Sequence, residues 1–224
     1  DLQSLTDGTT YTINVALTAD AAGNTATSDT GDTFVYDITA PSISDVVPSW
    51  GTYLNAVEDN SDGTIVVTTS GAEDGQTVTV TGMGVTDTCS LSSDTCTVTV
   101  AAADLQALTD GTTYTITVNV DDVAENSATP DTGDTFVYDI TAPSIANVVP
   151  SWGTYLNAVE DNSDGTIVVT TADSANGATV TVTGMGVTDT CTVSSNACTV
   201  TVAAADLQSL TDGTTYTINV ALTA

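Results

Sequence analysis

Residues 46–69 read VVPSWGTYLNAVEDNSDGTIVVTT, and residues 148–171 repeat that stretch without a change. Working outward, TVTVTGMGVTDTC occupies 77–89 and 179–191, the same 102-residue offset. DLQSLTDGTTYTINVALTA stands at 1–19 and again at 206–224, and DLQALTDGTTYTITV at 104–118 is its middle copy. One residue is lost between the first and second copies, near Thr18–Ala19. A period of about 100 residues is too long for a solenoid coil or a propeller blade and has the size of a small domain. The chain is therefore read as beads on a string, each bead with its own core.

Within the period, apolar residues alternate with threonine. Val78 and Val80 share one face, with Thr77, Thr79 and Thr81 on the other. Tyr114, Ile116, Val118 and Val120 share a face, as do Cys96, Val98 and Val100, and Phe136 and Tyr138 close the repeat. A period of two marks strands that are apolar on one side and wet on the other, the pattern of antiparallel sheets packed as a sandwich. Strands are expected over about 43–47, 64–69, 76–81, 84–89, 96–100, 112–120 and 134–138. The stretch 101–108, AAADLQAL, reads as a helical turn, and the Asp-Gly pair at 110–111 starts the next strand. Seven strands in about 100 residues give an all-β fold of tandem Ig-like antiparallel β-sandwiches.

YDITAP, at 36–41 and 138–143, marks the boundary between beads. Pro41 and Pro143 have no N–H for a ladder and hold the preceding residue extended, which makes a short, stiff linker. On this phase residues 1–37 are the C-terminal part of one repeat, 38–139 a complete repeat, and 140–224 a repeat lacking its last strand. Either a longer chain or identical neighbouring chains would complete the two partial repeats.

The sequence has no Lys, Arg or His and 29 Asp plus Glu, a formal charge of −29. Nucleic acid and anionic membrane surfaces are excluded as partners, because no cation is present to meet a phosphate. The charge serves solubility, and it also supplies oxygen ligands suited to a hard cation such as calcium. With 41% apolar and 13% charged residues the chain is foldable rather than disordered. No apolar run is long enough for a membrane-spanning helix, and no signal peptide opens the sequence, so export is expected to be encoded elsewhere. Catalysis lacks its usual bases and anion stabilisers. Paired carboxylates suited to glycoside hydrolysis fall in turns rather than around a cleft. Trp50, Trp152, Tyr53 and Tyr155 are either a stacking platform for glycans or packing residues of a loop. EDNSDG at 58–63 lacks the spaced ligands of an EF-hand and reads as a turn.

Cys89 and Cys96, and Cys191 and Cys198, form two short-range pairs. Two thiolates without a further Cys or His do not make a tetrahedral zinc site. Disulfides in an oxidising compartment are the expected state, each closing a hairpin and contributing about 2 kcal/mol through chain entropy, with free buried thiols as the alternative.

LTDGTTYTINVALTADAAGN at 5–24, FVYDITAP at 34–41 and LNAVE at 54–58 resemble the bacterial Ig-like tandem repeats of giant extracellular adhesins and biofilm surface proteins. That resemblance covers the whole chain. It implies extracellular, cell-surface stalk domains whose partners are neighbouring repeats, often rigidified by calcium between domains. Carried over residue by residue, it implies ion ligands at Asp20 and Asn24, at Asp122 and Asn126 (where Glu125 replaces the motif glycine), at linker residues Asp37 and Asp139, and at Glu58 and Glu160. In a sandwich of this kind Asp122 should lie near Asp37, and Glu58 near Asp139. The alternative for each Asp and Asn is a turn residue bonded to its own backbone. Two cysteines per repeat depart from the cysteine-free pattern of adhesins exported unfolded, and favour a Sec-type route or another kind of surface polymer. Three functions stay open: a stalk, a self-assembling filament or surface layer completed by strand donation, and a carbohydrate-binding module.

Mass spectrometry of a non-reduced digest should find Cys89 linked to Cys96 and Cys191 to Cys198. Unmodified thiols would remove the oxidising compartment.

Overall fold

A computed structural model describes residues 2–223. The chain divides into two compact units, residues 1–140 and 141–224.

The first unit begins with a two-stranded hairpin of β1 (Thr9–Val15) and β2 (Asp29–Tyr36). Then come β3 (Ser42–Pro48), β4 (Tyr53–Leu54), β5 (Gly63–Ser70), β6 (Thr77–Thr81), β7 (Thr86–Ser90) and β8 (Thr95–Val100). A single turn of helix, α1 (Ala102–Leu105), leads into β9 (Thr112–Thr115), β10 (Thr117–Val120) and β11 (Thr135–Tyr138). One layer is β3-β5-β8. The other runs β7-β6-β10 and continues through β9-β11-β4, because β9 and β10 are one run of chain interrupted at Ile116. The two layers enclose a core of Ile65, Val67, Val98 and Val100 from one side and Val78, Val80, Ile116, Val118, Phe136 and Tyr138 from the other. Each of the valines placed inward by alternation is buried, and the threonines between them face outward or lie half-covered. This is an all-β, Ig-like sandwich.

Tyr114 fixes the entry into β9. Its hydroxyl accepts the Thr109 N–H at 2.8 Å, and Tyr11 and Tyr216 accept Thr6 and Thr211 in the same way. A tyrosine that bonds back to the backbone at this corner belongs to Ig-type sandwiches. At the Ile116 break the backbone at the end of β6 comes close to Thr115. Gly82 (φ +111°) lies so close that a Cβ would sit 1.9 Å from the Thr115 carbonyl oxygen.

The expected antiparallel sheets are present, but not every pairing is antiparallel: β4 pairs parallel with β11. After Pro48 the chain crosses from the β3 layer to the edge of the other layer and there runs alongside the last strand. Nor do the cysteines close a hairpin. Cys89 lies on β7 and Cys96 on β8, which belong to different sheets, so the disulfide ties the two layers at their edge. Between them the chain reverses at Ser93–Asp94, both at positive φ, in the two-residue turn closed by Ser92 and Thr95. Cys191–Cys198 repeats the link in the second unit.

The second unit contains β12 (Ser144–Pro150), β13 (Gly165–Ala172), β14 (Thr179–Thr183), β15 (Thr188–Thr192), β16 (Ala197–Val202), α2 (Ala204–Gln208) and β17 (Asn219–Thr223). Its layers are β12-β13-β16 and β15-β14-β17, around Ile167, Val169, Val180, Val182, Val200 and Val202.

Tyr138 is the most informative buried polar side chain. It is 2% exposed, and its hydroxyl donates to Asp59 Oδ2 at 2.7 Å. Burial, then the hydrogen bond to Asp59, push the phenol from 10.0 up to about 12. The neutral phenol is the form that the fold holds. Its contribution is therefore complete below the ordinary phenol value and is lost as pH rises toward the folded one. Tyr138→Phe should cost about 1–3 kcal/mol at neutral pH by leaving Asp59 without its donor. It should also flatten the fall in stability between pH 10 and 12. Urea denaturation at pH 7 and pH 11 checks both, and an unchanged pH slope would show that Tyr138 does not carry it.

Candidate functional site

The linker of the first unit is held from both sides. On the hairpin side, Asp7 of the first Asp-Gly turn accepts the Ile38 N–H at 2.8 Å and the Thr39 hydroxyl. Those two bonds, the hydroxyl first, hold the Asp7 carboxyl below its usual range. On the sandwich side, Asn126 Nδ2 donates to the Asp37 carbonyl at 3.3 Å. Pro41 is buried. The Asp37 carboxylate accepts the Thr39 N–H at 3.1 Å. Asp110 repeats the role of Asp7 by accepting the Ile140 N–H at 2.9 Å. Neither Asp7 nor Asp110 stands out in the sequence, because an Asp-Gly pair also satisfies the requirements of a plain turn.

The structure thus brings Asp122, Asn126 and Asp37 together. Asp122 is 2% exposed. Its Oδ1 accepts the Asn126 N–H and its Oδ2 accepts Asn126 Nδ2, each at 2.8 Å. Glu73, which alternation alone does not single out, joins this loop by accepting the Val123 N–H at 3.0 Å. Glu125 adopts φ +67° where the first copy has Gly23 at +86°.

Asp20 and Asn24 form the same closed loop between β1 and β2, with Asn24 donating from both nitrogens and Ala22 adding a third bond. The Asn24 side chain, then its backbone, keep the Asp20 carboxyl below its usual range. In both copies the carboxylate is matched to donors of its own turn.

Glu58 and Glu160 hold their own segments. Asn55 Oδ1 accepts the N–H groups of Val57 and Glu58, and Glu58 Oε2 accepts the Asn55 N–H at 3.1 Å. That reciprocal exchange is the one that caps a helix start, and here it folds the turn leading into the short 3-10 helix Glu58–Asn60. Asn157 and Glu160 do the same. Asp139 meets this segment through its backbone, its N–H donating to the Leu54 carbonyl at 3.0 Å. In EDNSDG, Asp62 accepts the Ala102 N–H at the start of α1.

Among the described residues no three His, Cys, Asp or Glu side chains converge as a group able to hold a metal ion. The groups named at the Asp37–Asp122 junction are the carboxylates of Asp37, Glu73 and Asp122, the Asn126 amide and the Asp37 carbonyl. The glycan platform is corrected for Trp50. Its ring is buried edge-on to Phe136, centroids 5.3 Å apart, and packed so closely on Gly63 that a Cβ there would lie 2.4 Å from it. Tyr53 and Tyr155 are exposed. No helix among the described residues is long and apolar enough to cross a membrane.

No protein-family model and no curated protein sequence matches the chain. Solved structures do. The chain is similar to bacterial Ig-like adhesin repeats. A Ca2+-stabilized adhesin that helps an Antarctic bacterium reach out and bind ice is 27% identical over 96% of this chain, with a TM-score of 0.40. This chain spans 56% of that structure. A 1.5-MDa bacterial ice-binding adhesin is 24% identical over 99% of this chain and 75% of its own, TM-score 0.43. A tetra-tandem repeat from the extending region of a large adhesion protein is 20% identical over 99% and 57%, TM-score 0.38.

Asn126→Ala strips a donor from a buried carboxylate and from the linker carbonyl, and should cost about 1–3 kcal/mol. Asn24→Ala in the exposed loop should cost under about 1 kcal/mol. Equal losses in chemical denaturation would mean that burial of Asp122 is not what makes its partner matter.

Proposed function

We propose that the chain is a run of spacer repeats from an extracellular bacterial adhesin or surface protein, with domains at 1–37, 38–139 and 140–224 and with calcium stiffening the junctions. The observation that carries this reading is the linker gripped by Asp7 from one repeat and by Asn126 from the next. An enzyme or a ligand-binding module needs a cleft, whereas a spacer needs a junction that resists bending. Near-duplication of sequence suits that task, since a rod requires the same joint again and again rather than a unique site.

The calcium part rests on charge and donor type. No residue of the chain can neutralise its 29 acidic groups. At the first junction Asp37, Glu73, Asp122 and Asn126 offer hard oxygens, and carboxylate with amide and main-chain oxygens is a set that calcium accepts at six to eight positions. Asp20 with Asn24, and Asp139 with the Glu58 turn, are the corresponding positions in the other copies, and Glu160 marks the next one. The two disulfides support an oxidising, extracellular setting. No catalytic role is assigned: Asp122 is bound to its own turn and Asp59 to Tyr138.

Small-angle scattering and thermal melting, in calcium and then in chelator at matched ionic strength, test the reading. Calcium should raise the melting temperature and the maximum dimension together. A long, stiff particle that ignores calcium would keep the spacer and remove the ion. A particle that bends freely at 37–41 in both conditions would remove the spacer.

A further inference from the structure

The turns that lead into β6 and β14 have the same backbone and differ, at the residue that anchors them, by one functional group. The first reads Glu73-Asp74-Gly75 and the second Ala175-Asn176-Gly177. Asp74 Oδ1 accepts the Ser93 N–H at 2.6 Å, and Asn176 Oδ1 accepts the Ser195 N–H at 2.8 Å. The following glycine N–H donates to the Leu91 carbonyl in one unit and to the Val193 carbonyl in the other, both at 2.9 Å. Gly75 and Gly177 stand at φ +95° and +99°, each facing open space. The bond that anchors both turns goes to an oxygen that carboxylate and carboxamide share.

Asn176 is the one asparagine of the sequence followed by glycine. Asparagine is a thermolabile side chain. Ahead of a glycine it is most so, because no Cβ hinders the next backbone nitrogen from reaching the asparagine Cγ. Both residues are exposed, so water has access. The Ser195 N–H polarises the Cγ carbonyl, as a donor aimed at an acyl oxygen does. What is withheld is the nucleophile. While the Gly177 N–H donates to Val193, just past the end of β15, its nitrogen is held on that strand and away from Cγ.

We propose that Asn176–Gly177 is a site of intramolecular deamidation, gated by the Gly177–Val193 hydrogen bond, that converts this turn into the carboxylate form already present at Asp74. When the turn opens, the Gly177 nitrogen bonds to Asn176 Cγ and gives up its proton. The Cγ–Nδ2 bond breaks, ammonia leaves with that proton, and a cyclic succinimide remains. Water then adds to one imide carbonyl and breaks its bond to the ring nitrogen. Opening at Cγ gives aspartate, whose oxygen takes the Ser195 N–H as Asp74 takes that of Ser93. Opening at the main-chain carbonyl gives isoaspartate, which inserts a methylene into the backbone and moves the acceptor off Ser195. Water is the only co-reactant. Opening one turn requires less free energy than unfolding the domain, so the product accumulates in the folded chain and records how often the turn opens.

The full chain, held folded in mildly alkaline buffer and then digested, should exchange NH2 for OH at Asn176 ahead of every other asparagine, with aspartate and isoaspartate peptides resolved by chromatography and mass spectrometry. In urea the same site should react faster, by the factor with which the fold protects the Gly177 amide from hydrogen exchange. Asn176→Asp should melt at the wild-type temperature, whereas Asn176→Ala, which removes the acceptor for Ser195, should melt lower. Reaction at Asn60 or Asn162, both followed by serine, as fast as at Asn176 would overturn the site. Equal rates in buffer and in urea would overturn the gate. A lowered melting temperature for Asn176→Asp would overturn the equivalence of the two turns, and the proposal with it.

Discussion

A strand that alternates threonine with one apolar residue in two has little to hold it except the sheet face that its partners cover. In this protein that dependence converges on the last strand. Phe136 closes one end of the first sandwich between two aromatic rings, and Tyr138 closes the neighbouring position with a buried hydrogen bond to Asp59. The same strand gives β9 its ladder and gives the two-residue β4 a parallel neighbour. In residues 141–224, Leu156 and Ile218 are partly covered and Asp161 is half-buried, where Leu54, Ile116 and Asp59 are the same residues and buried.

A second constraint runs through the acidic groups. With no Lys, Arg or His, no buried carboxylate has a countercharge within the chain, and burying a charge without pairing or hydrogen bonds is costly. The fold answers with neutral donors. Asp122 takes two bonds from Asn126 and Asp59 takes the Tyr138 hydroxyl, whereas the buried Oδ2 atoms of Asp87 and Asp189 have no donor. The Asp122–Asn126 exchange spans four residues, so that turn can be copied from repeat to repeat without adjusting distant partners, while Asp59 relies on a strand 79 residues away. That economy of design suits a tandem array, in which a local error is confined to one bead.

The alternation of Val78 and Val80, of Cys96, Val98 and Val100, and of Ile116, Val118 and Val120 made the strands and their buried faces legible in the sequence, because a period of two admits one inward set. The helical turn at 101–108 and the turn at the Asp-Gly pair were legible from composition. The parallel pairing of β4 was not. It depends on where the chain lands after crossing between sheets, and two residues carry no periodicity. The disulfide bridged sheets rather than a hairpin for the same reason: strand order is a tertiary property that spacing between cysteines does not encode. At the candidate site the proximity of Asp122 and Asn126 to Asp37 followed from sandwich topology. The roles of Asn55 with Glu58 and of Asp7 did not, since NAVE and Asp-Gly are compatible with ion ligands, caps and turns alike, and only the bonding partners separate these.

Those bonding partners bear on how the linker at residues 37–41 would resist bending. A linker made stiff by proline alone restricts one torsion and leaves its neighbours free. Here the restraint is spread over the segment: Asp7 holds Ile38 and Thr39 from one side, Asn126 holds the Asp37 carbonyl from the other, and Pro41 is buried. Each bond alone is weak in water, about 1 kcal/mol net, but bending the joint would have to break bonds on both flanks together. A cation attracted to the carboxylates at this junction would act on a joint already clasped, so its contribution would be to tighten a preformed geometry rather than to create one.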